Sequence, residues 1–171
     1  MVKVLERSYE RTVRIKAPLL TLYGEMDSVE ALARFLPHVD GLEPDPDPRM
    51  AGCFGAGAIG PLSYRLTGTL ELERIDPPNG LWLRLRASNL PIELEGRFGF
   101  TPSAAEETTL RYSATIRSEH KLIRRMRSSM IGVLEEHVDA ATDLAAVRGR
   151  QYARAAMLLS PDMQPPDPPA G

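Results

Sequence analysis

The chain has 171 residues, a formal net charge of -2 and a pI near 6.0, with 43% hydrophobic and 26% charged residues. That balance excludes a disordered chain, gives no basic excess of the kind nucleic-acid binding needs, and fits one domain able to bury a core without metals or disulfides. A lone cysteine, Cys53, excludes an internal disulfide, and the charges at Lys3, Glu6, Arg7 and Glu10 leave no apolar leader at the N-terminus.

The residues from Met1 to Lys16 read as a strand, with Arg11, Val13 and Ile15 alternating against Thr12, Arg14 and Lys16. Ala17-Pro18 stops it, and proline suits the first turn of a following helix because its missing N–H would be unpaired there. Two short helices are expected, Leu19 to Met26 and Val29 to Phe35. Asp27-Ser28 supplies the break and cap between them, and Pro37 ends the second.

From His38 to about Ile116 the period is two. Leu62, Tyr64, Leu66, Gly68, Leu70 and Leu72 share one face, and Arg65, Thr67, Thr69 and Glu71 the other. Asp76 to Gly80 is a turn signal. Leu81, Leu83 and Leu85 alternate with Trp82, Arg84 and Arg86; Ile92, Leu94, Gly96, Phe98 and Phe100 alternate with Glu93, Glu95 and Arg97. A polar loop from Pro102 to Glu107 leads to Leu110, Tyr112, Ala114 and Ile116 against Arg111, Ser113, Thr115 and Arg117. Short links and clean alternation predict an antiparallel meander with one solvated face of paired arginines and glutamates. The glycines at 52, 55, 57 and 60 obscure the limits of one strand and suggest bulges or bends.

After Ser118, read as an N-cap, the period becomes 3.6. Leu122, Met126, Met130, Val133, His137, Ala141 and Leu144 form a stripe, widened by Ile123, Leu134, Val138 and Ala145. Gly149 is expected to end or bend this helix, with a further piece from Gln151 to Leu159. The stretch 160–171 is proline-rich and expected to be an unstructured tail behind a single domain at 1–159.

The order of strand, two short helices, antiparallel strands and a long C-terminal helix resembles the START-like, helix-grip superfamily, which includes polyketide cyclases and plant pathogenesis-related ligand binders. Ile15-Lys16-Ala17-Pro18 resembles the strand ending in Ala-Pro habitual there. Leu22, Tyr23, Met26, Asp27, Leu32 and Phe35-Leu36-Pro37 resemble its coenzyme Q-binding branch, and Thr108 to Tyr112 a common penultimate-strand feature. The likeness covers residues 9 to 148. It implies an α+β fold in which a curved antiparallel sheet wraps a long C-terminal helix. It also implies a cavity for lipids, quinones, hormones or polyketides, with cyclisation or dehydration in some members.

An inner face with few charges is the main functional signal. The expected lining is Arg11, Phe54, Tyr64, Leu66, Leu83, Phe98, Phe100, Tyr112, Met126, Met130, Val133 and His137. Its blander counterpart is an ordinary packed core. The methionines would adapt to guests of varied shape. His137 would be a polar anchor or acid/base group, or else a partly buried histidine with a backbone partner. Tyr64 and Tyr112 would orient a ligand carbonyl or hydroxyl, or merely reach a partner at the rim, and Arg11 would bind a carboxylate or head group, or reach the sheet edge. Cys53 reads as a buried, inert thiol.

No catalytic set is identified. His38, His120 and His137 lack metal-ligand spacing, and no phosphate loop or Ser-His-Asp pattern occurs, so neither metal nor cofactor is expected. Three readings stand: a cytoplasmic carrier of a small hydrophobic molecule; a cyclase or dehydratase in which His137, Tyr64 and Tyr112 converge; and an interaction module using the end of the helix. No transmembrane segment is expected. The basic run Arg117, His120, Lys121, Arg124, Arg125 and Arg127 would touch an anionic membrane or partner, or be a solvated face balanced by Glu93 or Glu95. A homodimer is an allowed assembly.

Overall fold

Alternation and helical spacing both become structure. The computed structural model describes residues 3–36 and 38–159, so Pro37 and the expected tail at 160–171 lie outside the described residues. Among the described residues the strands are β1 (Leu5–Ile15), β2 (Gly41–Pro44), β3 (Met50–Ile59), β4 (Leu62–Ile75), β5 (Gly80–Ala87), β6 (Glu93–Ala104) and β7 (Glu107–Ser118). The helices are α1 (Leu19–Met26), α2 (Val29–Ala33), α3 (Lys121–Arg125) and α4 (Arg127–Leu158). No described helix is long and apolar enough to cross a membrane.

The strands form one curved, open sheet in the order β1-β7-β6-β5-β4-β3-β2, antiparallel throughout. The step out of chain order sets β1 beside β7, with Leu5 opposite Ser118 and Ile15 opposite Thr108. α4 lies chiefly along β1 and also meets β7 and β3. Its buried stripe is Met130, Leu134, His137, Val138, Ala141 and Ala145. These face Ile15, Leu70, Leu81, Leu83, Phe98, Phe100, Leu110 and Tyr112 in one core. This is the helix-grip architecture, an α+β fold, that the element order implies.

The outer face of the sheet carries the expected cross-strand ion pairs. Glu93 accepts from Arg86 and is ion-paired with Arg84 at 3.5 Å, Glu95 accepts from Arg117 and, within its own strand, from Arg97, Glu6 from Arg117, and Glu10 from Arg111. Trp82 lies beneath Arg84, whose guanidinium carbon is 4.4 Å from the ring centroid.

Four expectations change. Ser118 does not cap a helix: it ends β7, and its hydroxyl donates to the Pro91 carbonyl at 2.5 Å. His120 caps α3 instead, its Nδ1 accepting from Leu122 N at 3.3 Å. A break at Met126 then separates α3 from α4, which turns Leu122 out to solvent. The polar loop at 102–107 is mostly ladder, since Ala104 pairs with Glu107 in a tight hairpin. Gly149 does not end the last helix; α4 runs through it to Leu158, and it is buried where the helix crosses Ile15. Finally, Phe54 lies on the outer face, 45% exposed, with its ring over Gly41, because Ala51, Cys53 and Ile59 take the inward phase of β3.

Candidate functional site

The interior is mostly packed. An apolar cavity of about 80 Å³ lies between the sheet and the N-terminal half of α4. Ile59, Tyr64 and Leu66 wall it from the β3–β4 hairpin, and Leu85, Leu90, Ile92, Leu94 and Ile116 from β5 to β7. Leu36, His38 and Val39 close it between α2 and β2. Met130, Val133, Leu134 and His137 face it from α4. Spacings of three and four residues put those four on one helical face.

Polar groups are scarce in this wall and behind it, and two tyrosines, Tyr64 in the wall and Tyr112 behind it, are positioned by glycines. A Cβ at Gly96 would stand 2.7 Å from Tyr112 Oη, so the missing side chain makes room for the tyrosine to cross the interior. The Tyr112 ring stacks on Phe98 with centroids 4.0 Å apart and planes 8° apart. Its hydroxyl then meets His137 Nε2 at 2.7 Å. Similarly, a Cβ at Gly57 would stand 2.6 Å from Tyr64 Oη, so Tyr64 lies across β3.

Burial decides the chemistry of the pair. His137 is 7% exposed, and desolvation, with a smaller effect from His38, lowers its pKa from 6.5 to about 4. The ring is therefore neutral near pH 7. Burial also raises the Tyr112 pKa far above its ordinary value, so the phenol stays protonated. Tyr112 Oη has no second partner among the described residues. If Nε2 carried the imidazole proton, the phenol proton would be buried without an acceptor, a penalty of about 1–3 kcal/mol. The favoured arrangement has Tyr112 donating to Nε2 and His137 carrying its proton on Nδ1. Nδ1 has no protein partner among the described residues, so a donor remains for a guest.

The expected lining residues separate into groups. Tyr64, Leu66, Met130, Val133 and His137 border the cavity. Leu83, Phe98, Phe100 and Tyr112 are core residues behind it, with Phe100 edge-on to Tyr23 at 5.5 Å. Met126 sits at the α3–α4 break, partly buried and outside the lining. Arg11 does project inward, but it serves α4 rather than the cavity. Its Nη1 donates to Asp143 at 2.7 Å, Thr142 Oγ1 at 3.0 Å and the Asp139 carbonyl at 3.2 Å. Phe54 is on the wrong face altogether.

His38 was missed. It reaches the cavity because its φ of 66° turns the chain back, and its carbonyl crosses directly over Gly55. Its Nδ1 lies 3.2 Å from the Ala56 carbonyl. The only sequence signal was the glycine opposite, which permits that crossing. Cys53 is buried, which raises its thiol pKa, as an inert thiol requires. Among the described residues no group of three His, Cys, Asp or Glu side chains is placed to hold a metal.

No protein-family model and no curated protein matches the chain. Solved structures do. A conserved protein from Geobacillus kaustophilus superposes with a TM-score of 0.71 at 15% identity, over 86% of this chain and 96% of its own. The Zhui aromatase/cyclase from Streptomyces sp. R1128 gives 0.68 at 16% identity, over 89% and 98%. A point mutant of norcoclaurine synthase from Thalictrum flavum gives 0.63 at 10% identity, over 90% and 99%. At these identities the likeness shows a shared helix-grip fold.

Proposed function

We propose that this protein binds and carries a small hydrophobic molecule bearing one hydrogen-bond acceptor, such as a carbonyl oxygen, held at His137. One observation carries the reading: an apolar cavity bordered by His137, whose Nε2 is taken by Tyr112 and whose Nδ1 has no partner among the described residues. A donor at Nδ1 strengthens in a dry wall and discriminates against guests that cannot pair it. Lipids, quinones and polyketide-like molecules are the classes that combine apolar bulk with such an acceptor.

Size sharpens the proposal. The cavity of about 80 Å³ is about half the roughly 150 Å³ void that admits one benzene. A larger guest enters by displacing the wall. The adaptable side is Met130 together with Leu36, His38 and Val39, and Leu90 and Ile92, which lie outside the strands. The lone thiol of Cys53 suits the reducing cytoplasm in which we place this carrier.

The test is organic extraction of the purified protein with mass spectrometry, alongside titration with a lipophilic fluorescent dye. A bound apolar compound, or dye binding displaced by carbonyl-bearing competitors and weakened in His137→Phe, is expected. Absence of both ligand and dye binding would remove the carrier reading.

A cyclase or dehydratase is the second reading, favoured by the Tyr112–His137 contact and the named activities of two structural neighbours. The electrostatics weigh against it. A histidine lowered to about 4 and a phenol raised by burial both exchange protons poorly near neutral pH. Turnover of an extracted ligand by wild type and not by His137→Gln would favour catalysis over carriage.

A further inference from the structure

We propose that a basic groove between the start of β1 and α3 docks on the surface of an anionic lipid bilayer. Lys3 and Arg7 border it from the first strand, and Lys121, Arg124, Arg125 and Arg127 from α3 and the start of α4. Residues more than a hundred positions apart in sequence thus gather six cations, in a chain whose net charge is -2.

None of the six forms an ion pair among the described residues, whereas eight other arginines do. The strand acids nearest them are engaged elsewhere, and Glu119, which lines the adjoining groove with Lys121 and Arg125, makes no ion pair with them among the described residues. Glu6, which also borders the groove, accepts from Arg117 at 2.9 Å. Glu93 is held by Arg84 and Arg86, and Glu95 by Arg97 and Arg117. A solvated face with internal balance is therefore not what the fold builds here. Six like charges kept together repel one another, and an anionic counter-surface relieves that repulsion.

Exposed apolar side chains choose among anionic partners. Val4, in the groove, is 48% exposed. Leu122 is 51% exposed in the adjoining groove, which shares Lys121 and Arg125. Cations interspersed with exposed apolar groups match the interface of a bilayer, where phosphates overlie hydrocarbon. An acidic peptide would pair the cations and leave Val4 and Leu122 in water. The docking surface stands independently of any guest in the cavity, although Arg127 lies only one helical turn before Met130 in the cavity wall.

Flotation with vesicles of phosphatidylcholine, and of phosphatidylcholine mixed with phosphatidylserine, tests the proposal. Binding is expected only with phosphatidylserine present, and it should weaken as salt is raised. Reversing Lys121→Glu, Arg125→Glu and Arg127→Glu together should lower vesicle affinity on the order of 100-fold, at roughly fivefold per cation. The control triple Arg14→Glu, Lys16→Glu and Arg65→Glu, at exposed cations outside the groove, should stay within about tenfold, as expected for a general charge effect. Leu122→Ser, which alters no charge, should weaken binding several-fold. Failure to bind anionic vesicles, equal binding to phosphatidylcholine alone, equal losses in both triples, or an unchanged Leu122→Ser affinity would each overturn the proposal. Capture of polyglutamate without vesicle binding would also overturn it, by making the groove a protein-docking surface.

Discussion

The Tyr112–His137 hydrogen bond joins the packed interior to the cavity, and its protonation makes a measurable demand on stability. The unfolded chain binds a proton on His137 as pH falls through about 6.5, and the folded chain only near 4. Between those values the unfolded state holds more protons, so stability is full above 6.5 and is lost as pH falls toward 4. The total is about 3 kcal/mol for a shift of this size. Denaturant unfolding at pH 7 and pH 5 should show wild type losing about 2 kcal/mol more than His137→Gln over that interval. Parallel losses in the two proteins would mean that the imidazole is solvated. Tyr112→Phe tests the other partner. It keeps the stacking on Phe98 but leaves Nε2 unpaired, so stability should fall by about 1–2 kcal/mol at pH 7.

Where α4 crosses β1, element packing overrides local propensity. Gly149 lies inside the helix, and alanine there would ordinarily stabilise by about 1 kcal/mol. The added methyl would overlap Ile15 Cγ2, on a stiff β-branched side chain that is 1% exposed. Overpacking of that kind costs about 1–3 kcal/mol, so Gly149→Ala should destabilise the protein. In an Ile15→Ala background the same change should become neutral or stabilising, and a double-mutant cycle measures the difference. Equal effects in both backgrounds would clear Ile15 of the clash. This contact also explains why the last helix was misread at Gly149. A helix-breaking residue was legible, but the strand it was cut to fit lay over 130 positions away. The same division applies elsewhere. Alternation gave β4 to β7 and their inward faces, the Ala17-Pro18 stop and the Asp27-Ser28 break bounded α1 at Leu19–Met26, and the spacing of apolar residues gave the α4 stripe. Phe54 was misplaced because Gly52, Gly55 and Gly57 carry no side chains to show the phase of β3. His38 was missed because a residue with φ of 66° follows no period. Tyr64, Leu66, Met130, Val133 and His137 were legible as wall, since each sits on a periodic element.

For the molecule as a whole the central quantity is the volume left unfilled. Composition and pattern fix which side chains face inward, but not whether their volumes close, since a cavity of about 80 Å³ is the residue of many small packing differences. Atoms lining a void lose dispersion contacts, so a fold that keeps one is less stable than its sequence could allow. That gives a way to separate a binding cavity from a packing fault. Val133, on α4 at the cavity wall, can take one more methylene as Val133→Leu while also relieving β-branching in a helix. If space is all that is altered, the variant should gain about 0.5–1 kcal/mol, as cavity-filling changes commonly do. The same substitution should weaken lipophilic dye binding several-fold if the void is where guests enter. Calorimetry and dye titration on one pair of proteins read both quantities. Stabilisation with unchanged dye affinity would place the guest elsewhere and leave the void as a fault in packing. Opposite movement of the two would show stability and binding competing for the same space.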